Sequence, residues 1–304
     1  MPVTTTAEAT GRASVAPSQT PDRRRWSERF PVIFPLAVEA HRLRRRWSWL
    51  RSTTPLARQR DPQPLPVRVI KHKSLLLRTL GDSEMWLQHN KVTNLRIAVR
   101  SVDGLVIRPG EEFSFCRTVG KATRRKGYVD GMLLSNGRAS AGVGGGICQL
   151  ANLLHWMVLH SPLTVTERSE HSYDPFPDQG RVLPWGVGCA IYFNYVDLRF
   201  RNDTDTTFQL RVSVGERYLE GELRCADPIP YSYSVTAEDE GFDLVDGRWF
   251  RHNEIWRHVI DRRTGNHVGH ELVKRNRALV TYEPDAGTRT RTRTRTEASA
   301  TASA

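Results

Sequence analysis

Eight residues, Gly142-Val143-Gly144-Gly145-Gly146-Ile147-Cys148-Gln149, constrain this chain more than any other stretch. Three consecutive glycines have no side chains to pack, accept positive φ and let a ligand or another backbone approach closely. Directly after them, Leu150, Leu153, Leu154, Met157 and Val158 recur at i, i+3, i+4, i+7 and i+8, the single apolar stripe of an amphipathic helix. Pro162 cannot donate the hydrogen bond that a further turn needs, so the helix stops before it. The spacing predicts a tight turn feeding the N-terminus of a buried helix, with Cys148 in its first turn. The unsatisfied N–H groups and positive dipole end there favour a thiolate, so a lowered thiol pKa is expected. The backbone of Gly144, Gly145 and Gly146, with the Cys148 N–H, could hold an oxyanion in the same place.

Cys148, Asn152, His155 and Leu159 fall at i, i+4, i+7 and i+11, a second face beside the apolar stripe. A cysteine nucleophile needs a base and a group that orients it. His171, at the end of the next expected strand, is the candidate base, with His155 as its substitute. Asp197 on the following strand, or Asp174 three residues past His171, is the candidate orienter. This layout parallels papain-like and transglutaminase-like enzymes in arrangement only. Two other readings stand beside it. Gly144–Gly146, Gln149, Asn152, His155 and Asp174 could line a pocket that holds an anionic ligand without breaking bonds. Alternatively, the glycines mark a crowded crossing and Cys148 is a packing residue. Cys148, His171 and Cys189 lack ligand-type spacing, so neither a metal site nor a cofactor is expected.

Around this centre the pattern alternates between helix and strand. Glu84–Arg100 carries Val92, Leu95 and Val99 at helical spacing. Leu105–Ile107 and Glu112–Phe115 read as short strands about the Pro109-Gly110 turn. Gly131–Ser135 and the segment after Asn136-Gly137 read as a hairpin. Leu163–Arg168 alternates as a strand, Val187–Phe200 reads as β-rich, and Phe208–Leu223 as a meander. The order predicts an α+β fold, antiparallel strands and hairpins packed on a few helices.

The ends differ from this body. The net charge is +12, but residues 1–60 hold 12 Arg and 4 acids, and residues 286–304 hold 4 Arg and 1 acid, leaving 61–285 at +1. A nucleic-acid binder places its basic field on a folded face, so no specific nucleic-acid partner is expected. Residues 1–25 read as a disordered basic tail, and 284–304, with its Thr-Arg alternation, as low complexity. Residues 26–64 read as a basic amphipathic segment and a Pro-rich linker. Val38–Ser52 can form a helix with Leu43, Trp47 and Leu50 on one side. Such a helix either docks on its own domain through Trp47 and Leu50, or contacts a membrane surface through residues 23–51. The start has no apolar leader, and the expected location is cytoplasmic. Cys116, Cys148, Cys189 and Cys225 form no C-x-x-C pair, and reduced thiols are expected. Cys116, Cys189 and Cys225 read as packing residues.

Several elements carry a resemblance. Arg108-Pro109-Gly110-Glu111-Glu112-Phe113-Ser114-Phe115, Val119-Gly120, Lys126-Gly127-Tyr128, Gly142–Gln149, Glu167-Arg168, His171-Ser172 and Asp197-Leu198-Arg199-Phe200-Arg201-Asn202 occur in an order and spacing that resemble the VanW-like family, in its short single-domain branch. The resemblance covers about residues 65–283. It implies a bacterial accessory protein of glycopeptide resistance, and its longer exported relatives point to a cell-wall peptide or precursor as partner. The family supplies no established catalytic residues. Three functions are therefore carried forward. The first is a cysteine-dependent acyl-transfer or amide-hydrolysing enzyme using Cys148, His171 and Asp197 on peptidoglycan-type peptides. The second is a non-catalytic binding or accessory module, and the third a peripheral membrane scaffold.

Overall fold

The structure is a computed structural model that describes residues 33–77, 85–135, 138–169, 173–174, 182–284 and 291–292. The chain divides into two compact units, Met1–Glu39 and Ala40–Ala304. Of the first, only the opening turns of helix α1 (Ile33–Arg51) are described. The elements that follow are β1 (Val67–Leu75), α2 (Met85–Val102), β2 (Val106–Ile107), β3 (Glu112–Ser114), α3 (Phe115–Val119), β4 (Asp130–Ser135), β5 (Arg138–Val143) and α4 (Cys148–Leu159). After α4 come β6 (Thr164–Glu167), β7 (Tyr173–Asp174), β8 (Arg199–Arg201), β9 (Phe208–Val214), β10 (Tyr218–Cys225), β11 (Tyr231–Val245), β12 (Arg248–Asp261), β13 (His267–Val280) and β14 (Arg291–Thr292). The class is α+β, as expected. No helix among the described residues is long and apolar enough to cross a membrane.

Three sheets and a hairpin divide the strands: β1-β10-β9-β2, β14-β11-β12-β13-β7, β3-β8-β6, and β4-β5. The main core lies between the first sheet and helices α2 and α4. All five residues of the α4 stripe are buried there, with Leu95, Ala98, Val99 and Val102 of α2. At about 1.5–3 kcal/mol for each fully buried large aliphatic side chain, this stripe rather than capping holds α4 in place. Ile147 provides no side-chain cap at its start. A Cβ on Gly221 of β10 would lie 2.7 Å from Leu153 Cδ2, so the helix rests directly on that strand. A second, smaller core joins Leu159, Val187 and Ile255 beneath the long β11–β13 sheet.

Four expectations need correction. Residues 187–198 are not strand apart from the Tyr192–Val196 bridge. Val196 N–H and Tyr195 N–H both donate to Tyr192 O and Asn194 takes φ 59°, which closes a tight turn that no extended strand can contain. The Pro-rich linker is laid against the body instead: Gln209 Nε2 donates to Asp61 O and Gln63 O, and Leu65 N–H donates to Gln209 Oε1. Helix α1 does not dock through Trp47, which is 58% exposed. Its contacting residues include Arg45, which pairs with Glu167, Arg42, whose guanidinium lies over the Tyr192 ring, and Trp49, under the Arg117 guanidinium; the Leu50 side chain lies outside the described residues. Finally, Arg291 and Thr292 of the Thr-Arg repeat pair in parallel with Asp243 and Leu244 of β11. Apart from Pro284, the rest of both tails lies outside the described residues.

Candidate functional site

The glycine turn is a backbone crossing. Gly144 and Gly146 take φ of 80° and 88°, which turns β5 sharply into α4. A Cβ on Gly145 would lie 2.1 Å from the carbonyl carbon of Gly131, and one on Gly146 would lie 2.1 Å from Lys91 Cγ. Asn94, fully buried on α2, locks the crossing: its amide donates to Gly145 O (2.9 Å) and Val129 O (3.0 Å) and accepts from Val129 N–H (2.9 Å). Lys91, one turn earlier, is also buried and donates to Gln88 Oε1 at 2.7 Å. Gln88 Nε2 is enclosed without a hydrogen-bond partner among the described residues.

Gln88, Lys91 and Asn94 were not recognised from the sequence as part of the site. The available signal was a polar stripe at i, i+3 and i+6 on a helix whose apolar stripe already accounts for its burial. From α4, Gln149 reaches the end of β1: its Nε2 donates to Ser74 Oγ (2.9 Å) and Leu75 O (2.8 Å). Its Oε1 is enclosed without a partner among the described residues.

The other side of the turn is closed. Cys148 opens α4 as expected and keeps some residue surface. Its thiol, however, is pushed up by burial, against the lowering effect of hydrogen bonds at Ile191 and at its own backbone. Desolvation therefore outweighs the helix dipole, and the direction is opposite to the one expected from position alone. Asn152 and His155 do share this face with Cys148. Asn152 Oδ1 accepts from Cys189 N–H at 2.6 Å, and His155 Nδ1 meets Val187 O at 2.8 Å.

The strap 186–191 thus covers the face, and Arg168 clamps it through Gly186 O and Gly188 O. Burial, assisted by the Arg168 charge, lowers His155 to about 3, so the ring is neutral at physiological pH. Cys189, itself part of the strap, is pushed up by burial to about 12. All four cysteines are free, and Cys116, Cys189 and Cys225 are buried as expected.

His171 lies outside the described residues. Asp174 pairs by its backbone with Val280 of β13, and its side chain also lies outside them. Asp197 is buried in a different setting. Its Oδ2 accepts from Ser114 Oγ (2.6 Å) and its Oδ1 from Cys116 N–H (2.8 Å), capping α3. Burial raises the Asp197 carboxyl, against these hydrogen bonds. Next to it, Arg199 pairs with Glu112 and lies 3.9 Å from Glu167, which also pairs with Arg45. Gly110 N–H donates to Asn202 O, and Phe113 stacks on Phe200 at 4.6 Å. The Arg108–Phe115 and Asp197–Asn202 elements thus meet each other, through matched charges and a shared aromatic pair.

The chain that folds in this way belongs to the VanW-like family. The family model described as VanW like protein matches residues 90–224, from the middle of α2 to the end of β10. Vancomycin B-type resistance protein VanW of Enterococcus faecalis is 31% identical over 263 residues, covering 86% of this chain and 95% of its own length. An alignment that long must run past residue 224 into the long sheet. Uncharacterized protein YoaR of Bacillus subtilis is 33% identical over 119 residues, 39% of this chain and 37% of its own length. No solved structure matches.

Proposed function

We propose that this chain is a non-catalytic accessory protein of glycopeptide resistance that binds a peptidoglycan-type peptide or precursor beside the glycine turn. The observation that carries this reading is the contrast between the covered Cys148 face and two unmatched side-chain amides on α2 and α4. On the Cys148 face of α4, burial pushes the thiol pKa up under the clamped strap, and His155, two turns further along the helix, is neutral. Off that face, Gln88 Nε2 on α2 is an enclosed donor and Gln149 Oε1 at the start of α4 an enclosed acceptor, each without a partner among the described residues. An unmatched buried polar group costs about 1–3 kcal/mol, which a ligand carrying both a carbonyl and an N–H, as every peptide does, would recover. The relative's printed link to vancomycin resistance supports the choice of cell-wall peptides as the ligand class.

The test is titration of the full chain with a peptidoglycan stem peptide, followed calorimetrically. Gln88→Leu and Gln149→Leu should each weaken binding by at least roughly tenfold. The alkylation rate of Cys148 against pH separates this reading from the acyl-transfer enzyme: a slow thiol with no titration below about 8.5 agrees with it. Stem-peptide cleavage that disappears in both Cys148→Ser and His171→Ala would replace it with the enzyme reading.

A second reading has its own support. Leu43 and Trp47 stand one turn apart on α1, both exposed, with Arg44 and Arg46 beside them and Arg51 over the Trp47 ring. Exposed apolar side chains flanked by arginines suit a helix that lies on anionic lipid. Flotation with anionic vesicles should recover the full chain and lose it in the double variant Leu43→Gln, Trp47→Gln; equal recovery removes the membrane contact.

A further inference from the structure

The outer face of the long sheet brings together side chains from three adjacent strands, outside the segment that the family model matches. Glu238 on β11, His258 on β12 and His270 on β13 each offer one ligand atom, and these atoms all lie within 4.8 Å of one another. His258 and His270 are direct cross-strand partners, their rings stacked at 4.5 Å and 15°. Glu238 Oε1 lies 3.9 Å from His270 Nε2. The sheet is irregular where this set sits. The β11–β12 register slips between Glu238 and Gly241, with Asp239 at φ 48°, and the β12–β13 register slips between Val259 and Ile260. Bulges of this kind re-aim neighbouring side chains. Both imidazoles are braced: Thr236 Oγ1 lies 3.0 Å from His258 Nε2, and Trp256 stacks on His270 at 4.2 Å.

We propose that Glu238, His258 and His270 form a binding site for a divalent transition-metal ion of the zinc type. Two imidazoles and a carboxylate suit such an ion, whereas magnesium and calcium take oxygen ligands. Donors about 2.0–2.2 Å from a tetrahedral zinc stand roughly 3.3 Å apart. The exposed Glu238 and His270 side chains can close that gap by rotating about their own bonds. The Thr236 hydroxyl at one ring nitrogen of His258 and the Trp256 ring stacked on His270 hold the two imidazoles in place. Three protein ligands leave a coordination position for water or for an oxygen of a bound molecule. The site is independent of the peptide reading at the glycine turn, because its residues lie on β11, β12 and β13 and those of the turn on α2 and α4.

The experiment uses the untagged full chain, stripped with chelator and titrated with Zn²⁺ and Co²⁺, with Mg²⁺ as control. One Zn²⁺ should bind per chain, and Co²⁺ should give the visible absorption of a four- or five-coordinate ion. His258→Gln and His270→Gln should each weaken Zn²⁺ binding by at least roughly tenfold, and Glu238→Gln should weaken it as well. His267→Gln, whose ring lies 5.8 Å from His258 and outside the set, should leave it unchanged. Far-UV circular dichroism must match wild type in each variant scored, and either histidine variant alone suffices. Unchanged Zn²⁺ affinity in a folded His258→Gln or His270→Gln chain overturns the proposal, as does equal binding of Mg²⁺ or the absence of one-to-one binding by wild type.

Discussion

The protein contains two clusters of charged and ring-bearing side chains, and they differ in what surrounds them. Around β3, β8 and β6, Arg45, Glu112, Glu167, Asp197 and Arg199 are drawn from four separated parts of the chain into one network; Glu112 and Asp197 are buried. On the outer face of β11–β13, Glu238, Glu254, His258, His270 and Arg275 are drawn together by sheet register alone and remain largely at the surface. The residue types overlap, but the dielectric does not. In the first cluster each carboxylate has a cation or hydrogen-bond donors, and losing one partner strands another in a medium that solvates it poorly. In the second, water already solvates the charges, so their arrangement adds little to stability and is free to serve a ligand.

The largest effect should come from breaking the first cluster. Asp197→Ala leaves the Cys116 N–H and Ser114 hydroxyl without their acceptor and removes a charge facing Arg45. A loss of about 3–5 kcal/mol is expected in urea unfolding. A stable Asp197→Ala chain that has lost ligand binding would instead place Asp197 in a site. Next is Gly145→Ala at the crossing. Its new Cβ would meet the Gly131 backbone, which cannot rotate away as a side chain would. About 2–3 kcal/mol of destabilisation is expected, with the far smaller effect of Gly215→Ala, where φ is not positive and the nearest atom lies 3.5 Å away, as the comparison.

How legible these regions were in the sequence follows from how local their causes are. The α4 stripe, the β4–β5 hairpin and the β9–β10 meander were read correctly, because periodicity and turn chemistry act within a few residues. The strap at 187–191 resembles a strand in composition. It is held as a loop by Asn152, Ser169 and Arg168, partners 20 to 40 positions away that no local window contains. The position of Cys148 at a helix start was legible, but the rise in its pKa was not. Charge and dipole can be read from neighbours in the chain, whereas desolvation depends on what folds over the sulfur. Asp197 was read as a partner for histidine from its strand order, and only three-dimensional register brings it to Ser114 and Cys116. The His258–His270 pair lies 12 residues apart across a hairpin, within reach of a register argument that the bulges then disguise.

Histidines sharpen the comparison through pH. The His155 ring is buried and its folded pKa, about 3, lies below the unfolded 6.5. Between those values the unfolded chain binds the extra proton, so the stability tied to this group is complete above pH 6.5 and falls as pH drops toward 3. At about 1.4 kcal/mol per pH unit, roughly 2 kcal/mol should be gone at pH 5. A series of urea midpoints from pH 7 to pH 5 should show this slope in wild type and a shallower one in His155→Gln.

The smallest effect belongs to the exposed cluster. Arg275 donates to Glu254 at 2.7 Å, a separation no worse than many buried pairs, yet the arginine side chain is 68% exposed. Water and salt screen such a pair, and ordering two long side chains costs entropy that offsets its attraction. Arg275→Ala should therefore change stability by no more than about 0.5 kcal/mol, and a double-mutant cycle with Glu254→Ala should give a coupling below about 1 kcal/mol. If the coupling instead approached the loss expected for Asp197→Ala, exposure would not be what separates the two clusters. The long sheet would then be stabilised by its charges, and the freedom to bind a metal on that face would lose its physical basis.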